Sequence, residues 1–367
     1  MQCDVLVAGA GPAGLATAIA ASEQGLRTIV VDCRRPPIEK VCGEGLLPQA
    51  ISCLRDLGVG LEPGLGYPIT GIRFSDECSS ITAAIPRGEA RGMRRTQLHN
   101  LLAEHAERRG VAFLWGERLC DFKDGAARAG DTRISFRWLI GADGQNSSVR
   151  KWAGLDARSA GRRRYGFRRH YELAPWSGLV ETHWGERCQL IVTPTGREEI
   201  CVVLLTRDPR LRIGTALDQF PALAARLRGA RPLSAERGMA TSLGRLPRVT
   251  NGRTALAGDA SCTIDGIAGQ GLCLALQQAR SLTVALVRQD LTLYELAHRR
   301  IGRMPVRMTR LLLLMDRNAN LRRRALRLFA KRPGLFARMV AAHTDGGAES
   351  EFKASEIVHL GWRMLWA

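Results

Sequence analysis

Gly9-Ala10-Gly11-Pro12-Ala13-Gly14 sets three glycines in the spacing G-x-G-x-x-G, and an acid, Asp32, closes the next apolar run. The chemistry these residue types can do is phosphate and ribose recognition. Gly9 permits a tight turn, Gly11 lets the backbone approach a pyrophosphate, and Gly14 lets a helix pack closely. A carboxylate at Asp32 can accept both hydroxyls of an adenosine ribose while a helix N-terminus holds the phosphates. The elements that must position these groups are legible around them. Cys3 to Ala8 reads as a buried strand, Leu15 to Gln24 as an Ala-rich helix stopped at Gly25, and Thr28 to Val31 as a second strand. Strand, glycines, helix, strand and acid in that order specify a dinucleotide site, with FAD and NAD(P) both open.

Two further clusters repeat the theme of glycine beside acid. Gly141-Ala142-Asp143-Gly144, with Ser147, Val149 and Arg150, follows a strand from Arg133 to Ile140. Gly258-Asp259-Ala260 follows a strand from Thr254 to Ala257, and Gly269-Gln270-Gly271 then opens a long helix to about Arg288. Earlier, Cys42-Gly43-Glu44-Gly45 places two glycines around a glutamate, which suggests backbone passing close to something bound. A helix from Arg94 to about Arg109 carries Leu98, Leu101, Leu102 and Ala106 on one face. Ile72 to Phe74, Ser80 to Thr82, Gly178 to Trp184, Cys188 to Thr193 and Glu199 to Thr206 read as strands of an antiparallel sheet, and Leu217 to Leu227 as a helix. From Leu291 on the chain is helical and basic; its Leu311–Met315 run and Arg322–Arg324 cluster suit an amphipathic surface.

The 367 residues are 45% hydrophobic and 24% charged, ordinary for a soluble globular chain of two interleaved domains. The net charge of +19 comes from 54 Lys+Arg against 35 Asp+Glu. Most of the arginines, including Arg162-Arg163-Arg164, Arg168-Arg169 and Arg322-Arg323-Arg324, read as solvated; the functional alternative is attraction to anionic cofactors, acidic substrates or a membrane surface. No nucleic-acid motif accompanies the charge, so nucleic acid is not an expected partner. Ten single cysteines contain no C-x-x-C pair, which predicts neither a metal site nor a disulfide framework. With no signal peptide and no spanning segment, the expected location is cytoplasmic, with peripheral membrane contact through the basic C-terminal region as an addition.

The three glycine–acid motifs, in this order, resemble the FAD-dependent monooxygenases of the p-hydroxybenzoate hydroxylase fold and their relatives, the geranylgeranyl reductases and flavin halogenases. The resemblance covers about residues 1 to 290. It implies an α/β fold: a Rossmann-like FAD-binding domain, an interleaved antiparallel-sheet substrate domain and a helical C-terminus. The FAD-binding domain would take residues 1–60, 93–160 and 249–290, the substrate domain 61–92 and 161–248, and the helical region 291–367.

By the same resemblance the FAD-contacting set is Gly9, Gly11, Pro12, Ala13 and Gly14; Asp32, Cys33 and Arg34; Gly43, Glu44 and Gly45; Arg95; Asp143 and Gly144; Asp259; and Gly269, Gln270, Gly271 and Leu272. Asp259 would accept from the ribityl chain, and the helix after Gly269 would aim N–H groups at the flavin pyrimidine edge. The implied activity is hydroxylation of an aromatic or phenolic, lipid-like or polyketide substrate with NAD(P)H and O₂, through a flavin C4a-hydroperoxide.

Departures shape the alternatives. Cys262 stands where the hydroxylases carry a histidine, and Asp265-Gly266 occupies the following proline region. No W-x-W-x-I-P is found, which argues against halogenation. The Cys42 loop resembles the C-x-G-G loop of geranylgeranyl reductases, although their P-x-x-Y-x-W-x-F-P is missing. Ala174-Pro175-Trp176, His183-Trp184 and Val192-Thr193-Pro194 resemble hydroxylases found beside type III polyketide synthases, which act on phenolic lipids. Asp265, near the flavin's reacting edge, is a candidate to accept a phenolic proton or orient a hydroxyl, against the alternative of a turn aspartate. Cys42 is the candidate proton donor of a reductase of prenyl or polyene double bonds. A non-catalytic escort protein on the same fold is the third alternative.

Overall fold

The computed structural model describes residues 1–123, 125–156 and 163–344. Arg162 and the last 23 residues of the expected helical region, 345–367, lie outside the described residues.

The nucleotide-binding half begins with β1 (Gln2–Ala8), α1 (Pro12–Glu23), β2 (Thr28–Asp32) and α2 (Pro48–Asp56). Two strands, β3 (Gly71–Ser75) and β4 (Ser80–Ala84), interrupt it before α3 (Arg95–Arg108), β5 (Ala112–Trp115) and β6 (Thr132–Gly141). The middle sheet continues with β7 (Arg164–Glu172), β8 (Leu179–Trp184), β9 (Cys188–Gly196) and β10 (Glu199–Thr206). The chain then returns through β11 (Thr254–Leu256) and α4 (Gly271–Val287), and ends in α5 (Leu291–Ile301), α6 (Arg303–Arg317), α7 (Ala319–Lys331) and α8 (Pro333–Thr344).

Strands β11, β6, β1, β2 and β5 pair in that order, all parallel. Parallel strands are covered on both faces, so Val5, Leu6, Val7, Val30, Leu139 and Ile140 are all buried. Helix α1 starts at Pro12 rather than Leu15, because proline's fixed φ and missing N–H suit the first helical position. Its small residues Ala16, Ala18 and Ala21 are fully buried where α4 packs across it.

The middle sheet orders β7-β10-β9-β8-β3-β4. It is mixed, not wholly antiparallel as expected: β8 and β3 run parallel, since they come from chain segments separated by the nucleotide-binding half. Arg231–Pro232 and Arg237–Thr241 add antiparallel edges to β7, and the hairpin of Leu119–Lys123 and Ala126–Ala129 extends β6; the sequence signalled none of these, nor β7 itself. The expected helix from Leu217 to Leu227 is two pieces, a 3-10 turn Leu217–Gln219 and a helix Pro221–Leu227, broken where Pro221 offers no N–H.

The C-terminal region does not act as one unit. Leu291 and Tyr294 of α5 join the core of the nucleotide-binding half, whereas Leu312, Met315, Leu326, Phe329, Phe336 and Val340 of α6–α8 pack with Phe74, Trp184 and Val203 of the middle sheet. The apolar faces expected on an amphipathic surface are therefore spent inside. What α6 turns outward is Arg303, Arg307, Arg310, Arg317 and one leucine, Leu314. No helix among the described residues is long and apolar enough to cross a membrane.

Several arginines expected to be solvated are buried: Arg164, Arg168 and Arg322 are each 5% exposed or less.

Candidate functional site

The motifs converge because each sits at the carboxyl end of a parallel strand. Gly9 follows β1, Asp32 ends β2, Asp143 follows β6 and Gly258-Asp259 follows β11. The turns interlock through main chain. A Cβ on Gly9, at φ +101°, would lie 2.5 Å from the Ala142 carbonyl oxygen, and one on Gly14 would lie 1.8 Å from the Gly9 carbonyl oxygen. The expected close helix packing at Gly14 is therefore real.

One cavity of about 700 Å³ runs along these strand ends and on to the middle sheet. It is lined by every candidate residue except Gly14 and Gln270. Gly14 is consumed by packing. Gln270 is a correction as well: its Nε2 donates to the His343 carbonyl at 2.5 Å, turning the side chain toward α8. Gly269, at φ +63°, and Gly271 remain on the wall, with open space where a Cβ would point.

Asp32 is nearly buried; Oδ2 accepts from the Ala10 amide at 2.8 Å and Oδ1 from the Arg34 amide at 2.9 Å. Asp143 Oδ2 accepts from Ser148 and Val149 amides, while its Oδ1 is buried without a partner among the described residues. Ser147 and Arg150 of the same motif are supports. Ser147 caps the short helix Ser148–Trp152, and the Arg150 guanidinium bonds Gln145, Asp156 and the Ala260 carbonyl, stapling the second motif to the third. Asp259 is half-buried and paired with Lys40, a wall residue that nothing in the sequence distinguished.

Arg95 is buried, and its Nη1 has no partner among the described residues. The unpartnered donor of Arg95 suits a phosphate or carbonyl oxygen and the acceptor of Asp143 a ligand N–H or O–H, and with the open approach at Gly11 and Gly144 they fit a dinucleotide. A Cβ at Gly11 would meet nothing within 4 Å and the residue's φ is −69°. Gly11→Ala should therefore change unfolding free energy by less than about 1 kcal/mol yet weaken FAD retention about tenfold, as the methyl occupies the phosphate approach. Denaturation and flavin titration of the same preparation separate the two effects.

Glu44 departs from the expected direct role. Its φ of 61° is uncommon for a non-glycine residue, and the surroundings over-determine it. The carboxylate accepts from the Arg95 amide at 3.1 Å, from Arg168 at 2.9 Å and lies 2.6 Å from His170 Nε2. Glu39 pairs with the same Arg168. The Glu44, His170 and Cys201 ligand atoms gather within 4.8 Å, but the Arg168 guanidinium already supplies the positive charge there. This cluster locks the Cys42 loop onto β7. Cys42 lines the cavity, accepts from the Glu44 amide through Sγ at 3.3 Å, and burial pushes its thiol up.

Asp265 ends at the far side. It is 1% exposed, caps the turn Gly266–Ala268 through Oδ1, and pairs with Arg164 at 2.5 Å. Arg164 also bonds Gln189 and approaches Asp316, which Arg207 closes off. Burial raises the Asp265 carboxyl above the usual carboxylate range, against the pull of Arg164. Beyond it the wall is Ile72, Phe74, Ile191 and Val203 of the sheet, and Met308, Leu312, Met339 and His343 of α6 and α8. Cys262, in the place of the expected histidine, packs away from the cavity with Leu274 and Val306. His183 bonds Ser75 and Glu181 on the sheet.

Residues 2–177 match the FAD binding domain family. Menaquinone reductase of Mycobacterium tuberculosis is 30% identical over 167 residues, 41% of each chain. Rifampicin monooxygenase of Rhodococcus hoagii is 32% identical over 158 residues, 40% of this chain and 33% of that one. The chain thus spans about two-fifths or less of the length of these relatives. The flavin-dependent brominase Bmp2 superposes with a TM-score of 0.81 at 18% identity, covering 100% of this chain and 99% of that one. The chain carries an FAD binding domain over residues 2–177, and its fold is that of the p-hydroxybenzoate hydroxylase group of flavoproteins.

Proposed function

We propose that this chain is an FAD-dependent, NAD(P)H-using monooxygenase that hydroxylates an aromatic or phenolic, lipid-like substrate. The observation that carries the reading is one cavity lined by the glycine and acid motifs at the strand ends, by aliphatic side chains of the middle sheet and by Asp265. FAD in this cleft supplies acceptance of hydride from NAD(P)H and activation of O₂. The chain's own residues do the rest. The glycine turn and the N-terminus of α1 would receive the pyrophosphate, Asp32 would take the ribose, and the start of α4 would aim N–H groups at the flavin edge. The aliphatic wall excludes water from the reacting atoms. Asp265, its carboxyl raised by burial against the pull of Arg164, accepts the proton of a phenolic hydroxyl or orients it.

Cys42 supports the second reading, reduction of prenyl or polyene double bonds. Its thiol lines the cavity and stays protonated at neutral pH, as a proton donor requires, and a reductase is among the similar proteins. Turnover with NAD(P)H under ¹⁸O₂ tests the two: labelled oxygen in a phenolic product supports the hydroxylase, and an unlabelled, reduced product formed without O₂ moves the assignment to the reductase.

A further inference from the structure

The positive charge of the chain is concentrated in one stretch. Residues 296–344 hold 13 of the 54 Lys and Arg but a single acid, Asp316, which is buried against Arg164 and Arg207. Arg299 and Arg323 pair with carboxylates from outside the stretch, Glu295 and Glu77. Helix α6 shows the pattern most plainly. Arg303, Arg307, Arg310, Leu314 and Arg317 recur at steps of four and three, so they form one stripe along the helix, and all five are exposed. No ion pair among the described residues involves these four arginines. On the opposite face Val306, Met308, Leu312 and Met315 are buried, and Met308 and Leu312 line the cavity. Like charges three and four residues apart repel and weaken a helix. The fold gains nothing from the stripe, and an anionic surface outside the chain would relieve it.

The kind of anion follows from what accompanies the charge. Of six large hydrophobic side chains exposed among the described residues, four (Val284, Val287, Leu296 and Leu314) lie on the consecutive helices α4, α5 and α6. Arginines with exposed aliphatic side chains suit a bilayer surface, where guanidinium groups meet lipid phosphates and the aliphatic groups reach between headgroups. Single-stranded nucleic acid is held by stacking on exposed aromatic rings. Phe329 and Phe336 are the aromatic residues of this stretch, and both are buried.

We infer that the outward face of α6 docks the protein on an anionic phospholipid surface, with Arg303, Arg307, Arg310 and Arg317 on the lipid phosphates and Leu314 among the headgroups. The width of one helix, about 10 Å, then separates the bilayer from the cavity that Met308 and Leu312 line. The inference goes beyond the hydroxylase reading and stands without it, since the contact is made whatever chemistry the cavity performs.

The experiment sediments the FAD-loaded full chain with vesicles of phosphatidylcholine alone, or of phosphatidylcholine mixed with phosphatidylglycerol, at physiological salt. The protein should follow the anionic vesicles and not the neutral ones, and raised salt should release it. Arg307→Gln with Arg310→Gln should weaken partitioning about twentyfold, near fivefold for each charge, whereas Arg307→Lys with Arg310→Lys should keep it within about twofold. Arg128 and Arg133 are exposed and face each other on the hairpin at the amino end of β6, away from the carboxyl strand ends where the cavity lies. Arg128→Gln with Arg133→Gln removes the same charge there and should leave partitioning within about twofold. None of these arginines lines the cavity, so flavin retention reports intact folding of each variant. Absence of sedimentation with anionic vesicles overturns the inference, as does equal sedimentation with neutral ones. So does an equal loss in the hairpin variant, the mark of net charge rather than of one face. Full displacement from the vesicles by duplex DNA at equal phosphate overturns it in favour of nucleic acid. A failure of the hydroxylase reading shows differently: vesicle binding persists while no ¹⁸O₂ label reaches product.

Discussion

Arg164→Met is expected to destabilise the protein by about 3–5 kcal/mol, the cost of removing one partner from a buried ion cluster. Arg164 is 3% exposed, holds Asp265 at 2.5 Å and lies 3.5 Å from Asp316. Methionine fills much of the same volume, so the loss is electrostatic rather than a cavity. Asp316 keeps Arg207 and Gln189, so the stranded charge is that of Asp265. Its carboxyl, already raised by burial, then rises further and takes up a proton. Two consequences follow for urea denaturation. The deficit should shrink as pH falls, and Asp265→Asn placed in the Arg164→Met background should recover part of it. If the two substitutions simply add, the pair is not coupled and this account of the far wall fails.

Acidification between pH 6.5 and 4 should remove a comparable or larger share of stability. Burial pushes His99 and His298 down to about 4. His99 is saturated as a neutral ring: Nε2 lies 3.0 Å from the Ala10 carbonyl it donates to, and Nδ1 accepts from the Ile38 amide at 3.5 Å. His298 is 2% exposed and bonds Ser261 through Nε2 at 3.0 Å. Below pH 6.5 the unfolded chain takes up protons at both positions and the folded chain does not. Stability present above 6.5 is thus lost as pH falls through 4, about 3 kcal/mol for each histidine. A domain of this kind holds about 5–15 kcal/mol in all. Asp265 works in the opposite sense, binding its proton more tightly when folded, and offsets part of the loss.

Because Ala10 belongs to the glycine turn, flavin should leave as the fold loosens. Denaturation curves across this range, with flavin absorbance followed in parallel, check the prediction. His99→Gln should flatten the pH dependence. A slope unchanged by that substitution would place the acid sensitivity elsewhere.

The local parts of the site were readable because their physics is local. A glycine needed at φ +101° or within 1.8 Å of a carbonyl leaves its mark at one position, and the alternation of apolar strand and Ala-rich helix announces the parallel core. Gly9, Gly11 and Asp32 were identified on that basis, and Asp143, Gly144, Asp259 and Gly269 through the family resemblance; all line the cavity. Arg164 and Arg168 were read as solvated, because nothing nearby in sequence names the acids that face them.

Those acids come from far away. Glu44 reaches Arg168 across 124 residues and Asp265 reaches Arg164 across 101. Whether an arginine on a strand meets water or a buried carboxylate is decided by which domain face docks on that strand. The same holds for the cavity's far wall. The sequence alone determined an amphipathic, basic C-terminal region; only the docking of α6 and α8 onto the middle sheet decided that its apolar face closes the site. Hydrophobic burial is non-directional, so an apolar stripe states that it must be covered, while the shape of the assembled sheet determines by what.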